Sequence, residues 1–227
     1  MEKNALHIDL HLHSNGSSDS LITRQKIEDQ CFRRGLDAVF ITDHNNIQQA
    51  LRIRDESWLK IYIGEEITTR EGEVIGLFLE QNIPPFLPIR ATIDRIKTQG
   101  GVVYIPHPFD RLRKSTIQPA TLLEIISEID IIEVFNSRVI FKADNLQALH
   151  FALQHDKIFG AGSDAHIGAE IGKLQIEMEF FFNKDDFLAK LPNGTIKSSY
   201  SNIMMHGITK LIKLLKRGDK YEKQCNQ

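Results

Sequence analysis

Apolar and polar positions alternate in the first strand-like segment of the chain. Over residues 5–13, aliphatic side chains alternate with three histidines and an aspartate. This period of two is typical of a β-strand with one buried face. The other face of the predicted strand carries only ionisable side chains, which are His7, Asp9, His11 and His13.

Short apolar strands then alternate with helices along most of the chain. Thr23 is a suitable N-cap and Gly35 a suitable C-cap, so they bound a predicted helix over residues 24–34. The other segments are predicted as helices over residues 47–58, 89–98, 119–127 and 141–155, as strands over residues 38–41, 61–67, 102–105, 131–135 and 158–161, and as a hairpin return over residues 74–79 after a turn at residues 71–73.

This alternation indicates a parallel sheet with right-handed crossovers, which is either a doubly wound open sheet or a barrel. Ligand-like polar residues follow nearly every predicted strand. They favour the barrel, because a barrel gathers the C-terminal ends of all its strands around one site, whereas an open sheet offers a single crevice.

The pattern changes after Gly172. Residues 174–182 predict a strand, residues 184–191 a helix, and residues 204–217 an amphipathic helix. We interpret residues 1–227 as a single domain, with a core over about residues 5–172 and an appended part over residues 173–227.

Composition narrows the class of protein. Of the 227 residues, 41% are hydrophobic and 26% charged, which is typical of a globular protein and disfavours disorder, collagen and coiled coil. The net charge of -2 gives no overall attraction to nucleic acid or to an anionic membrane. Two cysteines define no disulfide framework, and neither a signal-peptide pattern nor a run of ~20 apolar residues is present. We therefore expect a cytoplasmic protein with no membrane partner and no stable nucleic-acid partner.

Imidazole and carboxylate side chains follow the predicted strands. These groups suit zinc, manganese or iron better than the all-oxygen shells that magnesium and calcium prefer. Residues two apart on a strand lie ~6.6 Å apart on one face, so His11 and His13 can reach one small region. Buried acids and imidazoles would be costly without a metal, so the sequence predicts a metal centre. The strand-end residues are His11, His13, Asp43, His44, Glu65, Glu66, His107, Glu133, Asn136, Asp164 and His166.

Other ionisable residues have simpler interpretations. We expect His7 and Asp9 to lie deeper in the first strand, as partners of the ligands or as satisfied core groups. Asp43 and Glu65 are expected behind the ligands or in solvent. The histidines away from strand ends are interpreted as ordinary polar residues, and they are His150, His155 and His206.

Six motifs, in order along residues 7–172, resemble those of the PHP family, named for polymerase and histidinol phosphatase: HIDLHLHS, ITDHN, IGEEIT, IPHPFDRLR, IEVFNSR and GAGSDAH. The resemblance implies a distorted (β/α)7 barrel, similar to a TIM barrel, with a short C-terminal strand and helix extension. It also implies two or three divalent metal ions, such as zinc, manganese or iron, and the hydrolysis of phosphate esters.

The resemblance also assigns ligands position by position. It implies that one ion is held by His11, His13, Asp164 and a bridging Glu66, that a second is held by Glu66 and His107, and that Asp19, His44 and His166 either hold a third ion or line the pocket and donate protons. Asn136 and Asp19 stand where some members of the family have a histidine. An amide at Asn136 would leave the second ion weaker or completed by water, so both two and three ions remain open.

The expected mechanism is attack by a metal-bound hydroxide on phosphorus, in line with the leaving alcohol. The general acid would be His44, His166 or Asp19. Arginines after the ligand-bearing strands are candidates for gripping the phosphate, and they are Arg111, Arg113 and Arg138.

The substrate stays open at this level. The family resemblance implies a small phosphorylated substrate such as histidinol phosphate, a nucleotide or a short oligonucleotide. Two other functions also remain: hydrolysis of a C–N or carboxylic ester bond, and a non-catalytic regulatory PHP module. No oligomeric state follows from the sequence.

Overall fold

A computed structural model describes residues 5–198 of the chain. The predicted helix over residues 204–217 lies outside these residues, as does His206. The strands within residues 5–198 are β1 (Leu6–Leu12), β2 (Ala38–Ile41), β3 (Lys60–Thr68), β4 (Glu73–Leu77), β5 (Val102–Ile105), β6 (Ile131–Asn136), β7 (Ile158–Gly162), β8 (Leu174–Met178) and β9 (Thr195–Ser198). The α-helices are α1 (Arg24–Arg34), α2 (Gln48–Glu56), α3 (Ile89–Thr98), α4 (Pro119–Glu124), α5 (Lys142–Gln154) and α6 (Lys184–Lys190).

Local sequence explains where these elements start and stop. Thr23 Oγ1 accepts a hydrogen bond from the backbone N–H of Lys26, and Gly35 adopts the left-handed conformation (φ 70°), so α1 has the predicted bounds. The predicted bounds of β2, α3 and β5 are also those of the structure. The short strand β9 was not predicted, and it pairs antiparallel with β8.

The sheet is mainly parallel, and the predicted hairpin return is its antiparallel strand β4. Strands β1, β2 and β3 are parallel, as are β5, β6 and β7. Between these two groups, β4 pairs antiparallel with both β3 and β5. Only residues 69–72 join β3 to β4, whereas a crossover between parallel strands needs a dozen or more. The hairpin therefore replaces one of the strand–helix units.

The two edges of this sheet meet and close a distorted barrel. The N–H of Asp164, just after β7, donates to the carbonyl of His11 (2.8 Å), and the N–H of His13 donates to the carbonyl of Ala165 (3.1 Å). The first half of β1 pairs instead with β8, through Leu6–Met178 and His7–Glu177. The barrel therefore closes at the C-terminal end of its strands and is split by β8 at the other end.

The appended segment fills the interior at that other end. Phe40 and Tyr62 are register partners on β2 and β3, and Tyr62 shares its face of β3 with Glu66. Phe181 stacks on Tyr62 with ring centroids 5.1 Å apart, and Phe187 packs 5.7 Å from Phe40. This apolar plug leaves the C-terminal ends of the strands as the open face.

Within residues 5–198, no helix has the length and apolar composition that crossing a membrane requires.

Candidate metal centre

Four side chains bring one donor atom each to a common point at the open end of the barrel. The Nε2 atoms of His11 and His13 lie 3.1 Å apart, and they lie 3.3 and 3.2 Å from Oε2 of Glu66. Oδ1 of Asp164 lies 3.6 Å from His11 Nε2 and 3.3 Å from His13 Nε2. All four side chains are fully buried. A tetrahedral ion with bonds of ~2.0–2.1 Å separates its donors by about 3.3 Å, so these atoms have the spacing of one coordination shell.

Unusual backbone geometry occurs at three of the candidate ligands. The register between β1 and β2 shifts between Asp9 and Leu12, the segment that contains His11. His107 and Asp164 have positive φ angles of 28° and 52°, a region that side chains other than glycine rarely adopt. Such conformations cost free energy and concentrate at functional sites.

A glycine allows β7 to pass beside His11. A Cβ atom on Gly162 would lie 2.2 Å from the Cβ of His11 and 2.9 Å from Oε1 of Glu133. Any larger residue would therefore push the imidazole out of the donor group.

The second carboxylate oxygen of Glu66 faces a different set of residues. Its Oε1 lies 3.1 Å from Nε2 of His107, and Oε2 of Glu73 lies 3.9 Å from the same nitrogen. Oε1 of Glu73 lies 4.0 Å from Nδ1 of His44. Glu66 thus has the geometry of a bridge between two donor groups.

Glu73 was not predicted from the sequence. It is the first residue of β4, and because β4 runs antiparallel, its first residue lies at the same end of the barrel as the last residues of the parallel strands. The predicted hairpin was the signal that could have revealed Glu73.

The three residues expected to hold a third ion or to donate protons lie together at the mouth of the centre. Oδ2 of Asp19 lies 3.1 Å from Nε2 of His166 and 3.6 Å from Nε2 of His44. The His13 ring lies between them, with its centroid 4.5 Å from that of His44 and 4.2 Å from that of His166. The Asp19 side chain is 54% exposed, so this group is the one that solvent reaches.

Asn136 lies close to the centre, but its amide is already hydrogen-bonded at both ends. Its Nδ2 donates to Glu133 (2.9 Å) and to Asp164 (3.2 Å), and its Oδ1 accepts from the backbone N–H of Arg138 (2.8 Å). Asn136 thus donates to two carboxylates of the centre, and its role as a metal ligand stays a prediction.

Glu133 supports the candidate ligands from below. Its Oε1 lies 3.0 Å from Nδ1 of His11 and accepts from the Tyr104 hydroxyl (2.7 Å). Its Oε2 accepts from the backbone N–H of His107 (2.7 Å). A carboxylate behind a metal-binding imidazole fixes the orientation of the ring and raises its basicity.

The three candidate arginines have different surroundings. Arg113 enters the donor group: its Nη2 contacts Oδ2 of Asp164, and its Nη1 lies 3.2 Å from Nε2 of His107. Nη1 of Arg138 lies 2.5 Å from Nδ1 of His166. Arg111 points elsewhere, because its Nε and Nη2 donate to the carboxylate of Asp144 on α5. The structure therefore places Arg113 and Arg138, but not Arg111, beside the candidate metal centre.

His7 and Glu65 lie away from the candidate ligands, and His7 has polar partners of its own. Nδ1 and Nε2 of His7 lie 3.0 Å from Gln175 and Glu177 of β8, at the opposite end of β1 from the metal centre. Glu65 is buried on the other face of β3 from Glu66, and it accepts the backbone N–H of Ile83. Neither residue lies behind a candidate ligand, and Glu65 is not in solvent.

Asp9 and Asp43 do act behind the candidate ligands. Oδ1 of Asp9 accepts the N–H groups of His11 (3.2 Å) and Ser163 (2.9 Å). Asp43 accepts a hydrogen bond from the Ser17 hydroxyl (3.0 Å), and the hydroxyl oxygen of Ser17 lies 3.1 Å from Nδ1 of His13. Each aspartate thus helps to fix one histidine of β1.

The buried groups strongly perturb one another's pKa values. Burial opposes the charged form of each imidazole, but the carboxylates of Asp164 and Glu66 raise the pKa of His13 to about 9, and with Glu133 they raise the pKa of His11 well above its usual value. Burial likewise opposes the charged carboxylates, but the histidines hold the pKa values of Glu66 and Asp164 well below their usual range. The buried carboxylates of Glu66 and Asp164 are therefore stabilised in their charged form by positive charge placed between them and the histidines.

The donor chemistry fits a divalent transition metal. Imidazole nitrogens and carboxylate oxygens are the ligands that zinc, manganese and iron accept. Within residues 5–198, the buried atoms Asp164 Oδ1 and Glu73 Oε2 accept no hydrogen bond, and both face donor groups that could hold an ion. A cation would satisfy both oxygens and supply the required positive charge.

A family model described as PHP-associated matches residues 142–196. Two proteins of Methanocaldococcus jannaschii are also similar in sequence. The uncharacterized protein MJ0417 is 36% identical over 187 residues, which cover 80% of this chain and 75% of that protein. The uncharacterized protein MJ1587 is 35% identical over 144 residues, which cover 57% of this chain and 81% of that protein.

Solved structures share the fold at low sequence identity. PsfC from Pseudomonas syringae has a TM-score of 0.66 and 15% identity, covering 93% of this chain and 99% of its own. A protein from Bifidobacterium adolescentis described as a metal-dependent phosphoesterase has a TM-score of 0.58 and 17% identity, covering 73% and 88%. An amidohydrolase from Chromobacterium violaceum, with bound sulfate and no metal, has a TM-score of 0.59 and 15% identity, covering 73% and 89%.

Proposed function

The chain belongs to the PHP family of metal-dependent hydrolases, and we propose that it is a phosphoesterase that cleaves a small phosphate monoester or a nucleotide. The observation that carries this proposal is the convergence of four buried donor atoms, from His11, His13, Glu66 and Asp164, at distances of 3.1 to 3.6 Å.

These residues would hold one divalent ion. A second would be held by Oε1 of Glu66 with His107 and Glu73, so that Glu66 bridges the two. When bound, such ions activate a water nucleophile and neutralise the charge of a phosphoryl group.

The chain also provides cationic groups for a phosphate. Arg113 and Arg138 line the same cleft as His44, His166 and Asp19. Guanidinium groups pair with phosphate oxygens through two parallel hydrogen bonds, which a carbonyl substrate does not need. This is why we favour a phosphate ester over a C–N or carboxylic ester bond.

Proton transfer to the leaving oxygen would fall to the group at the mouth. Oδ2 of Asp19 lies within 3.6 Å of a ring nitrogen of both His44 and His166. Asp19 is also half exposed, so this group can exchange protons with solvent between turnovers. Asp19 would thus hold both imidazoles in place, whether they donate a proton or hold a third ion.

The test is a panel of nitrophenyl substrates offered to chelator-treated protein with and without added manganese or zinc. The panel contains p-nitrophenyl phosphate, bis-p-nitrophenyl phosphate and p-nitrophenyl acetate, which release p-nitrophenol, and p-nitroacetanilide, which releases p-nitroaniline. We expect metal-dependent release from a phosphate ester.

A paired variant controls this experiment. Release should disappear in His11→Ala with Asp164→Ala and persist in His150→Ala with Asp185→Ala, two surface residues outside the cleft. Release from the acetate or anilide alone would replace the proposal by carboxylic ester or C–N hydrolysis. Bound metal with no hydrolysis of any substrate would favour a regulatory module.

A further inference from the structure

Two exposed aliphatic side chains stand at the mouth of the polar cleft. The cleft has a volume of about 490 Å³, and Leu112 and Ile140 are its only apolar lining residues among residues 5–198. Leu112 is 57% exposed and Ile140 is 71% exposed. The other lining residues are Asp19, His44, Glu73, Asp110, Arg113, Lys114, Ser115, Arg138 and His166.

The two side chains come from different loops. Leu112 lies between β5 and α4, after the candidate ligand His107, and Ile140 lies between β6 and α5, after Asn136 and Arg138. Each loop therefore carries one arginine that lines the cleft and, within two residues of it, one apolar residue.

Side-chain contacts of Arg111 connect these loops. The Arg111 guanidinium, next to Leu112, donates to Asp144 at 2.9 Å and lies 4.8 Å from the ring of Phe141, next to Ile140. This explains why Arg111 does not face the cleft. Its contacts connect the residues that flank Leu112 and Ile140 in the two loops.

The backbone on either side is also held. The N–H of Leu112 donates to Oδ1 of Asp110 (3.0 Å), and Arg113 is anchored by Asp110 and Asp164. The N–H of Arg138 donates to Asn136 (2.8 Å). The exposure of these aliphatic side chains is thus imposed by ordered loops.

Ligand sites combine a few polar groups with apolar walls, and covering an exposed leucine or isoleucine favours binding. A phosphate held by Arg113 and Arg138 would place the rest of the substrate beside Leu112 and Ile140. A polyol would leave both side chains in water, whereas a flat apolar ring would cover them.

We propose that Leu112 and Ile140 form an apolar clamp for the leaving group, so that the preferred substrate carries a flat, largely apolar ring close to its phosphate. The proposal rests on the proposed function, since it assumes that the phosphate lies at the metal centre.

Two phosphonates that cannot be hydrolysed provide the test. Phenylphosphonate and methylphosphonate share the anionic group and differ in the ring, and their affinities for manganese-loaded protein are measured by titration calorimetry. We expect phenylphosphonate to bind at least about tenfold more tightly. Leu112→Ser with Ile140→Ser should abolish this preference and leave the affinity for methylphosphonate unchanged.

A matched variant and a mass measurement distinguish the other outcomes. Leu123→Ser removes an exposed leucine of α4 outside the cleft and should keep the preference. Equal affinities in the unaltered protein would overturn the clamp alone, whereas no binding of either phosphonate would overturn the proposed phosphate site and the clamp with it. A change of oligomeric mass in the double variant, with the preference intact, would identify an interface instead of a clamp.

Discussion

Nδ1 of His11 lies 3.0 Å from Oε1 of Glu133, on the opposite edge of the ring from the Nε2 that faces Glu66 and Asp164. The imidazole is thus held between a supporting carboxylate and the donor group. This arrangement fixes both the orientation of the ring and the nitrogen that would bind an ion.

Glu133→Gln is expected to weaken metal binding by about 10- to 100-fold, because a neutral amide replaces the carboxylate that orients the His11 ring and raises its basicity. Competition with a coloured chelator measures the change. Glu177→Gln is the matched control, since Glu177 makes the same 3.0 Å contact with His7 at the other end of β1. Equal losses in the two variants would refute the role of Glu133.

Glu73→Gln should weaken the second ion about tenfold or more, because a neutral amide is a poorer ligand than a carboxylate. Metal content after dialysis should fall from two or more ions per chain toward one. Glu71→Gln changes the glutamate of the turn between β3 and β4, which accepts a hydrogen bond from the N–H of Ile89. If Glu73→Gln retained every ion at unchanged affinity, Glu73 would not be a ligand.

Arg113→Ala should weaken inhibition by inorganic phosphate roughly 10- to 100-fold, since a hydrogen bond to a charged group contributes ~1.5–3 kcal/mol. The measurement is the inhibition constant of phosphate against p-nitrophenyl phosphate hydrolysis. Arg111→Ala should leave that constant unchanged, because Arg111 binds Asp144 and phosphate carries no ring for the clamp. The reverse ranking of the two variants would contradict the placement of the phosphate.

Glu65 links stability to pH. Burial raises its pKa from 4.5 to about 7, and only the backbone N–H of Ile83 partly offsets this. The folded state therefore binds the proton more tightly than the unfolded state. The resulting stabilisation is fully present below pH 4.5 and is lost as the pH rises through 7.

Glu65→Gln removes this dependence, so at pH 8 the variant should be more stable than the unaltered protein by about 3 kcal/mol, with a difference below about 1 kcal/mol at pH 5. Urea unfolding of metal-free protein at both pH values gives the comparison. Glu80→Gln, an exposed glutamate nearby, should change neither value. A variant that is less stable than the unaltered protein at pH 8 would contradict a buried carboxylate that resists ionisation.

Local patterns predicted most of the elements because their causes are local. The caps at Thr23 and Gly35 and the alternation in β1 act within a few residues. They do not specify the short strand β9, which forms only because β8 is beside it. The mixed sheet follows from the short connection between β3 and β4, which was visible in the sequence.

The candidate site shows the same limit. His11, His13, Glu66, His107 and Asp164 could be grouped from motifs because strand ends meet at one edge. The partner of Arg111 could not, because Asp144 lies on α5 and reaches Arg111 only once this helix packs beside the loop that follows β5. Glu73 was not predicted because we searched for ligands only after the ends of strands, and in the antiparallel strand β4 it is the first residue that lies at this end of the barrel.

The central claim is that divalent ions held by His11, His13, Glu66 and Asp164 enable phosphate ester hydrolysis. The most direct measurement is phosphate release from p-nitrophenyl phosphate by chelator-treated protein during stepwise addition of manganese, with bound metal determined at each step. The account predicts no release before addition and a rise that saturates when at least two ions are bound per chain. Release that is unaffected by chelation, or full metal occupancy without release, would contradict it.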